Sequence, residues 1–312
     1  MIHTLTLNPA IDRILYLPQL TQNITNRIRS TRDTIGGKGT HVSIDLSQLG
    51  QRSTAFGICH GPNGQNVIDI LSEYDIDVCF NHYDAPGKNT RTNYLVIEDT
   101  TDCTILAEPG VKLTEKEICD LIDRMKHIIK EGDYLLFSGD ASNSPDPAVY
   151  NRIMRELKDK NIRFVLDASG ASLKSCICES PYMIKPNLDE LSMLVDYPVG
   201  EDIPSILKAM DSLAQYNVEI IAVSLGGDGS VVRTPEGTFR VEPPKVNVCN
   251  TIGCGDCFLA GFVYGLASGL NTEETLRIAT ASSAAAAEST LSIGFDEARK
   301  NELLSQVKIT RI

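Results

Sequence analysis

From about residue 110 onward the chain alternates two hydrophobic patterns, and that alternation limits the folds open to it. Tyr134-Leu-Leu-Phe137, Phe164-Val-Leu166, Tyr182-Met-Ile184 and Ile220-Ile-Ala-Val-Ser224 are short apolar runs that lack the polar alternate positions of a half-exposed strand. Between them lie segments with helical spacing. Ile118, Leu121, Ile122, Met125, Ile128 and Ile129 share one helical face, as do Val149, Ile153 and Leu157, and the stretches around Leu188–Leu194 and Ile206–Leu213 keep the same period. Strands that are apolar throughout need cover on both faces, which strand–helix–strand crossovers supply to a parallel sheet. The punctuation agrees. Thr114-Glu-Lys-Glu117 is a capping box, in which hydroxyl and carboxylate satisfy the free amides that begin a helix. Gly132 stops that helix, and Asp146-Pro147 opens the next. The expected class is α/β: a central, mainly parallel sheet between two helical layers.

Residues 11–35 and 88–107 break this rhythm. They are rich in Thr, Arg, Asn and Ile, with loose alternation and no helical period; Arg91–Ile97 and Cys103–Leu106 read as a hairpin-type pair with one face to water. They predict a small β-sheet appended to the main layer, either a lid over a site or plain peripheral strands. At 312 residues and 42% hydrophobic content, the chain can be one large α/β domain spanning 1–312. The net charge of −12 argues against diffuse affinity for nucleic acid or an anionic membrane, so any anionic ligand must be held by a local group of donors. The longest apolar stretch, Phe258–Ala267, is too short to span a bilayer. With no targeting pattern in the first residues and nine scattered cysteines that suit reduced thiols, a cytoplasmic location is expected.

The strongest chemical signal is Asn250-Thr-Ile-Gly-Cys-Gly-Asp-Cys-Phe-Leu-Ala-Gly261. Gly253 and Gly255 bracket a turn, and an apolar helix begins near Asp256. Glycines let several amides converge, and the helix start adds partial positive charge, which suits a phosphoryl group gaining charge during transfer. An Asp in the first turn is placed to take a proton from an attacking hydroxyl. On spacing alone, an ordinary glycine-rich helix start with Asp as a cap fits as well. Two standard nucleotide motifs do not fit. The third glycine of a dinucleotide fingerprint is replaced by Phe258 after Gly255 and by Val232 after Gly229, and Lys38 is followed by Gly39 where a Walker loop needs Ser or Thr.

Gly36-Gly-Lys-Gly39 opens a second helix, with Val42, Leu46 and Leu49 inward, and makes either an anion or polyol site or a flexible turn with a solvated lysine. Asn187 and Glu190, one helical turn apart after an apolar strand, could hold a hydrated magnesium ion or be surface polar residues. Cys254-Gly-Asp-Cys257 imitates a redox pair, and Cys176-Ile-Cys178 a zinc pair. Neither has the neighbourhood such sites need, and buried thiols are the better reading; a helix-start position would lower the Cys254 pKa and make it oxidation-sensitive.

Together these residues resemble the ribokinase-like (PfkB) family of sugar kinases, most closely its 1-phosphofructokinase and tagatose-6-phosphate kinase branch, over nearly the whole length. Thr6-Leu-Asn-Pro-Ala-Ile-Asp12 is similar to the branch's opening, Gly36-Gly-Lys-Gly39 to its sugar loop and Thr90-Arg-Thr-Asn93 to its phosphosugar-contacting strand. Lys185-Pro-Asn-Leu-Asp-Glu190, Ser224-Leu-Gly-Gly-Asp-Gly229 and Thr251-Ile-Gly-Cys-Gly-Asp256 resemble its nucleotide-side motifs. The resemblance implies a three-layer fold with a small β lid, and transfer of the γ-phosphoryl group of ATP to a hydroxyl of a ketohexose phosphate of the fructose-1-phosphate or tagatose-6-phosphate type. It makes Asp256 the general base and gives the amides of Gly253, Cys254 and Gly255 to the transferred group. Asn187 and Glu190 would arrange Mg2+; Lys185, Asn187, Ser224, Gly226 and Gly229 would line the ATP site. Asp12, with Gly36, Gly37, Gly39 and His41, would hold the sugar, and Lys38, Arg91 and Asn93 its phosphate. A homodimer through the lid is the implied assembly.

Three positions depart from the branch. His41 stands where it usually has Asn, which changes the sugar hydroxyls that fit or adds a phosphate contact. Its Ser-Gly-Ser-Leu-Pro-Pro-Gly run is altered to Ser138-Gly-Asp-Ala-Ser-Asn-Ser-Pro145, and Cys254 replaces its common Ala. The alternatives are a kinase of a free sugar or nucleoside, or a non-catalytic sensor of ATP or sugar phosphate.

Overall fold

The computed structural model describes residues 1–100, 103–139, 141–168 and 170–312. Residues 101–102, inside the expected lid segment, and Asp140, inside the altered Ser138–Pro145 run, lie outside the described residues. The strands are β1 Ile2–Thr6, β2 Ala10–Leu17, β3 Ser30–Gly36, β4 Ser53–His60, β5 Ile76–Tyr83, β6 Arg91–Glu98, β7 Cys103–Ala107, β8 Tyr134–Ser138, β9 Arg163–Asp167, β10 Met183–Ile184, β11 Ile220–Ser224, β12 Ser230–Thr234, β13 Gly237–Glu242 and β14 Lys308–Arg311. The helices are α1 Lys38–Gln48, α2 Gly61–Ser72, α3 Glu115–Ile128, α4 Val149–Glu156, α5 Gly170–Cys176, α6 Leu188–Val195, α7 Ile203–Ser212, α8 Cys254–Ala267, α9 Thr272–Ala287 and α10 Glu297–Leu303.

Among the described residues, ten strands form one sheet in the order β14-β13-β12-β11-β10-β9-β8-β1-β4-β5. It is parallel from β11 to β5 and antiparallel from β11 outward to β14. The expected mainly parallel α/β sheet is therefore present. Its strands feed both faces alternately, as the pleat requires. Leu135 and Phe137 of β8 enter a core with α3, α4, α6 and α7, whereas Tyr134 and Leu136 enter the opposite core with α1, α8 and α9. Ile221 and Val223 of β11 divide from Ile220 and Ala222 in the same way.

The capping box holds. The Thr114 amide donates to Glu117 Oε2 at 2.6 Å, and the Glu117 amide donates to Thr114 Oγ1. Two helix boundaries differ from the expectation. The third helix ends at Ile128, and Gly132 sits in the following turn at φ 78°. Asp146 accepts the Ala148 amide at 2.8 Å as a turn, and the helix starts only at Val149.

The second sheet has the order β3-β2-β6-β7, drawn from the two segments that broke the helical rhythm. Arg91–Ile97 and Cys103–Leu106 pair antiparallel, as expected. The β2–β6 pairing is parallel and sets Ala10 opposite Arg91 and Asp12 opposite Asn93, while Ala10 faces Gly36 on the other side. Three distant motifs thus meet by register alone.

The eighth and ninth helices pack closely. A Cβ on Gly261 would lie 2.7 Å from the Ala279 Cα, a backbone atom that cannot swing aside. Gly261→Val should therefore force this helix pair apart and lower unfolding free energy by about 1–3 kcal/mol, read as a lower urea midpoint with an unchanged slope.

Candidate active site

The first turn of α8 organises the site. Gly253 caps it in the left-handed region at φ 81°, and a Cβ there would lie 2.3 Å from the Ser292 carbonyl oxygen, so only glycine fits. No side chain caps this helix. The Cys254 amide makes a long contact of 3.4 Å to the Thr251 carbonyl, and the Gly255 and Asp256 amides carry no acceptor among the described residues. Free amides at a helix start form an anion site. Asp256 is buried beside them, in the first turn rather than at the cap.

The start of α1 faces it. His41 Nδ1 lies 3.0 Å from Asp256 Oδ2, and its Nε2 lies 3.0 Å from the Ile35 carbonyl oxygen. Burial disfavours the His41 cation, but the hydrogen bond and charge of Asp256, with the charges of Asp12 and Asp45, outweigh it and hold the group up at about 9. Asp12 is buried; Asn93 Nδ2 donates to its Oδ1 at 2.7 Å. Burial raises the Asp12 pKa, opposed by His41, Asn93 and Arg91. Gly36 makes this approach feasible, since a Cβ there would fall 2.1 Å from Asp12 Oδ1. Arg91 donates to the carbonyls of Asn8 at 3.2 Å and Glu108 at 3.4 Å.

Lys38 reaches a different partner from the one expected of a phosphate-holding residue next to Arg91. Its Nζ lies 3.9 Å from Asp167 Oδ2, and Lys185 Nζ lies 2.9 Å from Asp167 Oδ1. Asp167 and Lys185 are both buried, and a Cβ on Gly255 would lie 3.5 Å from Lys185 Nζ. Asp167 thus gathers two cations beside the helix start. It was absent from the sequence reading, although it ends an apolar strand at the sheet rim where ligands of open α/β sheets bind.

Asn187 and Glu190 cap one another at the start of α6. The Glu190 amide donates to Asn187 Oδ1 at 2.8 Å and the Asn187 amide to Glu190 Oε2 at 3.0 Å. Asn187 bridges to Ser224, and both line a cleft of about 580 Å3 with Leu188, Leu225, Asp228 and Arg240. Gly226 and Gly229 shape its turn at φ 57° and 89°. The Cys254 thiol departs from expectation. Burial, with the charges of Asp256 and Asp45, pushes it up to about 11, so the helix start does not activate it. The nine cysteines are free.

The sequence profile of the pfkB family carbohydrate kinases matches residues 5–298. The chain belongs to this family. A tagatose-6-phosphate kinase of Staphylococcus epidermidis is 33% identical to this pfkB-family chain over 284 residues, 90% of each. Phosphofructokinase-2 of Escherichia coli in complex with substrates and products has the same fold, with a TM-score of 0.92 at 24% identity over 98% of both chains. Its tetrameric inhibited form matches with a TM-score of 0.87 at 25% identity over 98% of both. The ribokinase-like fold of these neighbours is the fold of this chain. Among the described residues no helix is long and apolar enough to cross a membrane.

Asp45, also missed by sequence reading, lies fully buried behind the site on α1, where its Oδ1 accepts the Gly294 amide at 3.1 Å. Burial, then the charge of Asp256, raises its pKa from 3.8 to about 7. Between those values the folded protein keeps a proton that the unfolded chain has released. The Asp45 contribution to stability is therefore full below pH 3.8 and declines as pH rises through about 7. Asp45→Asn retains an acceptor for Gly294 and should remove that decline. Urea unfolding at pH 5 and pH 8 should show the variant gaining on the parent at the higher pH.

Proposed function

We propose that this carbohydrate kinase transfers the γ-phosphoryl group of ATP to a hydroxyl of a ketohexose phosphate, of the fructose-1-phosphate or tagatose-6-phosphate type. One observation carries the reading: a buried carboxylate, Asp256, stands in the first turn of a helix whose Gly255 and Asp256 amides have no acceptor among the described residues. Asp256 Oδ1 has no hydrogen-bond partner among the described residues, and it takes the proton of the acceptor hydroxyl. The hydroxyl oxygen forms the new bond to the γ-phosphorus as the bond to the β–γ bridging oxygen breaks, and ADP leaves with that electron pair. The amides of Gly253, Cys254 and Gly255 and the Lys185 ammonium stabilise charge on the transferring group.

Asp12, Gly36, Gly37 and Gly39 hold the sugar, and Arg91 with Asn93 its existing phosphate. Ser224, Gly226 and Gly229 shape the nucleotide cleft. Asn187 and Glu190 fit a magnesium ion that keeps most of its waters, because Glu190 Oε1 is left over from the mutual cap. Bound there, the ion would neutralise phosphate charge. Exposed Ile105 and Leu106 on the small sheet support a homodimer through that sheet, and a cytoplasmic setting suits the free thiols.

Asp256→Asn should lower kcat by about 10²–10⁴ with the fold intact, the range for loss of a general base; turnover within about threefold of the parent would reject the base role. A second reading, a free-sugar acceptor, is favoured by one observation: Lys38 engages Asp167 instead of joining Arg91, which donates to the carbonyls of Asn8 and Glu108. Magnesium-dependent ADP production from fructose-1-phosphate, fructose-6-phosphate, tagatose-6-phosphate and the unphosphorylated sugars separates the two. Arg91→Ala should raise KM for the phosphorylated acceptor by about tenfold or more, from loss of a charge-assisted contact. An equal effect on phosphorylated and free hexoses would favour the second reading.

A further inference from the structure

His41 occupies a sugar-loop helix, yet its polar atoms are turned away from any ligand. Nε2 faces the Ile35 carbonyl oxygen at 3.0 Å, and a carbonyl oxygen only accepts, so Nε2 carries a hydrogen. Nδ1 faces Asp256 Oδ2 at 3.0 Å, and an ionised carboxylate also only accepts, so Nδ1 carries one as well. A ring with hydrogens on both nitrogens is an imidazolium. Both donors are then spent inside the protein, and the side chain is only 6% exposed. A neutral ring would set two acceptors against each other at one of the two contacts.

We propose that His41 is a positioning residue: a buried imidazolium that fixes Asp256 Oδ2, aims Oδ1 at the acceptor hydroxyl, and does not itself touch the sugar. This rests on Asp256 being the base, as proposed above. It replaces the sugar or phosphate contact that the departure from Asn suggested.

The groups facing the ring are Asp256 of α8, Asp12 of β2 and Asp45 of its own helix. The neighbouring Cys254 and Cys257 thiols have pKa values raised by burial, Cys254 to about 11. One cation therefore serves three buried carboxylates, and it persists up to about pH 9. Above that pH the ring loses a hydrogen, one of its two contacts becomes acceptor against acceptor, and the cationic charge that holds Asp256 in its orientation is gone.

The test combines spectroscopy and kinetics on the full chain. In 15N-histidine spectra, one of the five histidines should show both ring nitrogens protonated at pH 7 and titrate near pH 9. Its signals should vanish in His41→Asn and become those of a neutral ring at pH 7 in Asp256→Asn. His41→Asn should lower kcat about 10- to 100-fold, the worth of a charge-assisted hydrogen bond, while KM for the sugar acceptor changes by less than about threefold. The alkaline limb of kcat near pH 9 should disappear.

A neutral His41 ring at pH 7 in the parent would overturn the proposal without any variant having to fold. So would a His41→Asn enzyme with unchanged kcat, a retained alkaline limb and an acceptor KM raised about tenfold, the signature of a substrate contact. Failure of the base assignment is told apart from these, because it shows in the turnover of Asp256→Asn alone.

Discussion

The contact between His41 and Asp256 joins the first turns of two helices that belong to different parts of the chain, 215 residues apart. The flanking geometry is arranged around it: Gly253 turns the backbone into α8, and Gly37, at φ 110°, turns it into α1. A buried ion pair contributes little net stability, since desolvation consumes most of the attraction, yet removing one partner leaves a stranded charge. Its value here is directional. A carboxylate held by one oxygen has one orientation left for the other.

The same pair manages an excess of negative charge. Asp12, Asp45 and Asp256 are all buried near one imidazolium, and they cannot all be ionised at neutral pH without cost. Asp45 answers by remaining partly protonated to about pH 7. On the nucleotide side the balance reverses, with Lys38 and Lys185 sharing Asp167. The first turn of α8 thus lies between a cluster of buried carboxylates around one histidine and a pair of lysines around one carboxylate.

The sheet's parallel centre was legible because β8, β9 and β11 are apolar on both faces. The first strands were not. Ile2–Thr6 and Ser53–His60 are buried along their whole length yet mix Thr, His, Ser and Gly with apolar residues, so they show neither a clean run nor a clean alternation. Of the antiparallel edge, β12 and β13 form a local hairpin that closes at Thr234 and Gly237, whereas β14 pairs with β13 from residues 308–311, too far along the chain for a local pattern. Within the site, glycine-rich helix starts marked Gly36–Gly39 and Gly253–Asp256, because backbone demands leave a trace in residue type. Asp45 and Asp167 left no such trace: a single acidic residue inside a helix or strand looks ordinary until the fold buries it. His41 was visible as a departure, but its partner could be found only in three dimensions.

The reciprocal cap of Asn187 and Glu190 has a consequence for cation capture. Because Glu190 is tied to a backbone amide through Oε2, its side chain has already surrendered its rotational freedom during folding. Under the proposed magnesium role, the oxygen left over from the cap is a prepared ligand, so an arriving ion would meet a side chain that no longer has to search for it.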